Sequence, residues 1–107
     1  MSELPFKVTQ ALYQGTIRRW ITSGTPSLFA GERVKRFANI ASVATRKLQQ
    51  LDSAATLDAM RAPPGNRLEA LAGDRRGQHR IRINDQWRVC FVWKTDGPHD
   101  VEIVDYH

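Results

Sequence analysis

Three arginines, a tyrosine and a histidine gather in the last third of this 107-residue chain: Arg80, Arg82, Arg88, Tyr106 and the terminal His107. Arginine presents a planar fork of donors that matches phosphate oxygens. Histidine, with an unperturbed pKa of ~6.5, can take or give a proton near neutral pH. A tyrosine beside them can stack on a base or relay a proton. Together these types suit cleavage of RNA without a metal, in which the 2′-OH attacks the adjacent phosphorus. That reaction needs cations for the phosphorane charge, a base for the 2′-OH and an acid for the leaving 5′-oxygen. Each residue also has a plainer use. Arg88 can pair with Asp105 or the C-terminal carboxylate, and Glu69 with Arg67 or Arg75. Arg80 and Arg82 can form a solvated stripe, Tyr106 can be core, and a terminal histidine can fray. On residue types and spacing alone, a ribonuclease is one reading among several.

The elements that must position these side chains are strands. Gln78–Asn84 alternates, with Ile81 and Ile83 on one face and Arg80 and Arg82 on the other. Trp87–Lys94 is apolar on nearly both faces, the pattern of a central strand. Asp100–Tyr106 alternates again, with Val101 and Ile103 against Glu102, Val104 and Tyr106. Asn84-Asp85 and Asp96-Gly97-Pro98 are turn signals. A loop over Asn84–Gln86 sets Ile83 opposite Trp87, Ile81 opposite Val89 and Arg82 opposite Arg88, which collects the apolar residues on one face. A loop from Thr95 to His99 sets Lys94 opposite Asp100, Cys90 opposite Val104 and Arg88 opposite Tyr106. One open face then holds Arg80, Arg82, Arg88 and Tyr106, with His107 at its rim. Two arginines facing each other repel by up to ~1 kcal/mol, which an anion relieves.

Upstream, Ile17–Ile21 has the alternation of a short strand. Thr25-Pro26 reads as an N-cap with proline at the first helical position, and Gly31 as its stop. The main helix lies within Glu32–Ser53, where Val34, Phe37, Ala41, Ala44, Leu48 and Leu51 form one apolar stripe opposite Ser42, Arg46, Gln49 and Gln50. Asn39 is a candidate cap inside that window. Thr56–Met60 reads as a further helical turn, ended by Ala62-Pro63-Pro64-Gly65, and Arg67–Leu71 as a short strand. The fold class is α+β: an N-terminal strand and helices on one face of a mostly antiparallel sheet.

Composition narrows the function. The net charge is +5, and residues 61–94 carry eight Lys/Arg against three acids, whereas residues 95–107 carry four acids and no Lys/Arg. A basic middle suggests a polyanionic partner, nucleic acid above all, or simply a solvated basic surface. No apolar run approaches the ~20 residues of a membrane span, and no secretory pattern opens the chain. Cys90, the one cysteine, reads as a small core residue in a reducing, cytoplasmic setting.

The run Ala62-Pro63-Pro64-Gly65-Asn66-Arg67-Leu68-Glu69-Ala70-Leu71, then Gly73-Asp74-Arg75, then Ile83-Asn84-Asp85-Gln86-Trp87-Arg88, and the terminal Asp105-Tyr106-His107 resemble the HigB-type toxins of the RelE/ParE superfamily. Ser27–Gly31 and Val43–Leu48 fit as well. The likeness runs from about Ile17 to His107, so residues 1–16 are read as an N-terminal extension and 17–107 as a single toxin domain. The resemblance implies an endoribonuclease that cuts mRNA in the ribosomal A site with neither metal nor cofactor. It also implies a HigA-like helix-turn-helix antitoxin as partner. Arg88 matches the family arginine that holds the phosphate, Tyr106 and His107 the terminal pair implicated in cleavage, and Asp105 precedes them as in the family. Arg67, Arg75, Arg76, Arg80, Arg82 and Gln86 are expected to line the RNA path. Many relatives have histidine where this chain has Glu69 and lysine where it has Ala72. Glu69 is the substitute general base, and the missing cation implies slower cleavage. Gln86 stands where some relatives have asparagine. Three other readings compete: a ParE-like gyrase poison, a non-enzymatic RNA- or ribosome-binding module with a decayed site, and a structural domain defined by its partner.

Overall fold

Ala44, Leu48 and Leu51 are fully buried, and with Lys47 they face inward from a 13-residue helix, Ala41–Ser53. In the computed structural model, which describes residues 15–21 and 24–106, this is the main helix, α2. It begins after Ile40, close to the sequence expectation, but Asn39 does not cap it. The chain enters through a 3-10 turn at Lys35–Phe37, and backbone bonds from Ile40 N to Phe37 O (3.0 Å) and Ala44 N to Ile40 O (2.8 Å) continue the winding.

The shorter helix, α1, spans Thr25–Phe29 and ends before Gly31, whose φ of 90° breaks the winding. Its cap position is Gly24, not Thr25. Thr25 is fully buried, and its hydroxyl accepts a bond from the Ile103 amide (3.0 Å), tying the helix to the sheet.

Four antiparallel strands follow, in spatial order β1 (Glu69–Ala70), β2 (His79–Arg82), β3 (Trp87–Lys94) and β4 (Gly97–Asp105). The β2–β3 register is the expected one, with Ile81 opposite Val89 and Arg82 opposite Arg88. The β3–β4 register differs. The turn is tighter than expected, pairing Lys94 with Gly97, and an irregularity between Cys90 and Val92 then shifts the ladder by one. Arg88 therefore faces Val104, not Tyr106. The shift is a bulge on β4, where Asp100 adopts φ 52° and binds Arg19 at 3.0 Å. Without the extra residue, Val101 and Ile103 would point away from the core; the bulge restores their face. Both are buried.

The helices cover the face made by Ile81, Ile83, Val89, Phe91, Val101 and Ile103. Phe37 meets Trp87 edge-on (5.6 Å), and Trp20 packs on Phe29 (5.1 Å). The expected strand at Ile17–Ile21 is a single parallel bridge, Trp20 to Val101. Its bonds from Arg18 N to Pro98 O (2.8 Å) and Ile21 N to Val101 O (3.0 Å) still cover the outer edge of β4. The residues before Ile17 are partly integrated, since the Thr16 amide donates to Asp52 O at 2.7 Å. Residues 1–14 of the expected extension lie outside the described residues. The described part of the chain contains no helix long and apolar enough to cross a membrane.

Candidate active site

Strand alternation puts Arg80, Arg82, Arg88 and Cys90 on the sheet face turned away from α2. Tyr106, one residue beyond β4, joins them in spite of the register difference. Its amide donates to Gln86 O (2.6 Å), and its ring folds back across the sheet. The Arg80 guanidinium carbon sits 4.8 Å from the ring centroid, and the phenol oxygen lies 3.8 Å from Cys90 Sγ. Tyr106 thus screens Cys90, whose thiol is pushed up by burial. The expectation of a buried cysteine holds, but its cover is Tyr106 rather than a helix.

Beside the tyrosine is a cleft of about 520 Å³, lined among others by Ala72, Asp74, Arg75, Arg80, Val104 and Tyr106. Its walls come from the edge of the sheet, the end of β4 and the 3-10 turn Gly73–Arg75. Arg75 is braced by Gln78 Oε1 (2.9 Å). Arg80 binds Glu69, its cross-strand neighbour, at 3.1 Å. Burial pulls the Arg80 guanidinium down, but Tyr106 and Glu69 outweigh it, leaving the residue firmly cationic. Glu69 is half exposed and engaged in that pair, so its carboxylate is not free-standing as a base.

Arg88 is oriented differently. Its guanidinium donates to the carbonyls of Asn84 and Trp87, the latter at 3.1 Å, bracing the β2–β3 turn. Desolvation, then Arg80 and Arg82, lower its pKa, the electrostatic mark of a place that favours an added anion. Arg82 carries its own counter-charge in Asp85.

The remaining predicted residues form a looser rim. Asp105 is exposed, lines the cleft beside Tyr106 and accepts a bond from Gln86 Nε2 (3.1 Å), closing the open end of β3 and β4. Arg67 (φ 48°) and Arg76 are exposed on the loops before β1 and β2. His107 lies outside the described residues.

A buried polar knot went unread in the sequence. Lys47, 4% exposed, donates to Asn66 Oδ1 and to Pro64 O (3.3 Å). Asn66 is fully buried, donates to Met60 O (3.1 Å), and its carbonyl accepts from the Arg82 amide (2.6 Å). The knot therefore ties α2 to the loop that aligns β2 and its arginines. Desolvation, then Arg46 and Arg82, push the Lys47 ammonium below its ordinary value. The available signal was spacing: Lys47 falls three residues after Ala44 and four before Leu51, on the buried stripe.

Fold and site define an α+β domain with a helix-covered sheet face and an open, arginine-rich face closed by a C-terminal tyrosine. The family model described as "RelE-like toxin of type II toxin-antitoxin system HigB" matches residues 30–107, and the chain belongs to this HigB-like toxin family. A curated relative, Toxin HigB-1 of Vibrio cholerae serotype O1, is 43% identical over 60 residues. The match covers 56% of this chain and 62% of that protein, so the chain spans under two thirds of the relative's length.

Proposed function

We propose that this protein is the toxin of a type II toxin–antitoxin pair and an endoribonuclease that cuts mRNA on the ribosome. The observation that carries the reading is Tyr106 folded against Arg80 in a cleft that Arg75 also lines, on the sheet face that the helices leave open. Within the family, the chain is read as resembling the HigB-like toxin GraT. Arg88, Arg80 and Arg75 supply positive charge for a phosphodiester and its phosphorane. His107 is assigned the proton transfers, Tyr106 a stacking or relay role, and Asp105 the support of the C-terminal end through Gln86. Arg67, Arg76 and Arg82 extend the basic track on which RNA would lie. A HigA-like helix-turn-helix antitoxin is the expected partner and the cytoplasm the expected compartment. The experiment is to map mRNA 5′ ends after induction. New ends at discrete codons in translated messages support the reading; intact messages with gyrase-linked DNA breaks would replace it with a gyrase poison. A second reading, a binding module without catalysis, is favoured by Ala72, which lines the cleft and brings no charge to it. Ribosome binding without cleavage by the purified toxin is its signature.

A further inference from the structure

Arg80, in the wall of the cleft, already carries an anion. Glu69 projects a carboxylate from the edge strand β1 onto Arg80, at 3.1 Å, while Arg80 lies along Tyr106 within the cleft. The Glu69 side chain is 53% exposed and that of Arg80 23%, so the carboxylate sits at the solvent side of the pair and the guanidinium at the inner side. A carboxylate and a phosphate use the same guanidinium donors and geometry. An ion pair this exposed is weak and exchanges readily. The two ligands are therefore alternatives on one cation.

We propose that Glu69 is a displaceable internal anion, holding Arg80 until a backbone phosphate of RNA takes its place, so that it restrains binding and serves no proton transfer. The inference rests on the cleft being the RNA site and assigns Arg80 as a residue that touches the scissile region. Bound phosphate and Glu69 cannot both remain on Arg80 without two like charges meeting. The carboxylate must swing outward as RNA enters. Its exposed side faces solvent, the direction of that swing. A general base would have the opposite requirement, since it must stay in place and accept a proton from the 2′-OH.

The test is binding of inorganic phosphate and of a short RNA carrying a 2′-deoxy linkage, followed by NMR titration of the full-length toxin. Glu69→Gln should tighten both probes by ~3–10-fold. Arg80→Ala should weaken both at least tenfold, and Arg80→Lys, which keeps a charge on the same strand, should fall between. In an Arg80→Ala background, Glu69→Gln should then change nothing, because the two residues act on each other. On programmed ribosomes, Glu69→Gln should lower KM and leave kcat within about threefold. Weaker or unchanged binding by Glu69→Gln, or a loss of kcat by two orders of magnitude, overturns the proposal and returns Glu69 to the role of base. Failure of wild type and all variants to bind either probe overturns the cleft assignment itself, which is a different result.

Discussion

Replacing Asn66 by alanine removes the centre of the buried knot between α2 and the loop before β1. Asn66 Oδ1 is one of two oxygens holding the Lys47 ammonium; the other is Pro64 O, at 3.3 Å. Asn66→Ala leaves a desolvated ammonium with that single longer contact and also frees Met60 O. Leaving a buried charge uncompensated costs ~3–5 kcal/mol. Lys47→Met is milder. It strands Asn66 Oδ1, a loss of ~1–3 kcal/mol, but also removes the desolvation cost of the ammonium. We expect Asn66→Ala to lower stability by ~3–4 kcal/mol and Lys47→Met by ~1–2 kcal/mol. In a domain of this size 1 kcal/mol corresponds to roughly 4 °C in Tm. The pair Lys47→Met/Asn66→Leu should cost less than the sum of the single changes, since it deletes charge and acceptor together. The pH dependence has a definite sign. Lys47 titrates below its ordinary 10.5 in the fold, so the unfolded chain binds more protons between the lowered value and 10.5. Stability contributed at this site therefore rises with pH across that window, and Lys47→Met abolishes the rise. Urea unfolding at pH 7 and at steps to pH 10 measures all of this. If Asn66→Ala costs under 1 kcal/mol, or less than Lys47→Met, the knot does not bear on the loop and the reasoning fails.

Arg88→Ala should slow cleavage on mRNA-loaded ribosomes by ~10²–10³-fold, and it should lower Tm by a few degrees because two turn carbonyls lose their donor; a melt beside the rate assay separates the effects. Deleting His107 should slow single-turnover cleavage by ~10²–10⁴-fold if it moves the proton, while an unchanged rate transfers that role to Tyr106. Ala72→Lys adds a cation to the cleft wall, and one charge-assisted contact of ~1.5–3 kcal/mol predicts at least tenfold faster cleavage, so an unaltered rate would mean that position 72 does not reach the substrate.

Much of this architecture was legible in the residues. Alternation at Ile81 and Ile83 against Arg80 and Arg82 assigned both faces of β2, and the apolar Trp87–Lys94 run marked β3 as central. The Ala44–Leu48–Leu51 spacing marked the covering helix, and the motifs from Ala62 onward and at Asp105-Tyr106-His107 pointed to the family. These are properties of short segments, in which side-chain direction repeats with the backbone period whatever lies elsewhere.

What the tertiary structure decided were the long-range pairings. The two-residue turn at Thr95-Asp96 and the bulge at Asp100 set the β4 register, because the strand must turn Val101 and Ile103 inward while its edge meets Arg19 and Trp20. Thr25 was claimed by the Ile103 amide instead of its own helix, and Tyr106 was laid over Cys90 and Arg80 rather than opposite Arg88. Lys47 is buried despite its charge, and its head finds Asn66 across 19 residues. Whether a polar group can be buried depends on a partner that only the folded chain brings within reach.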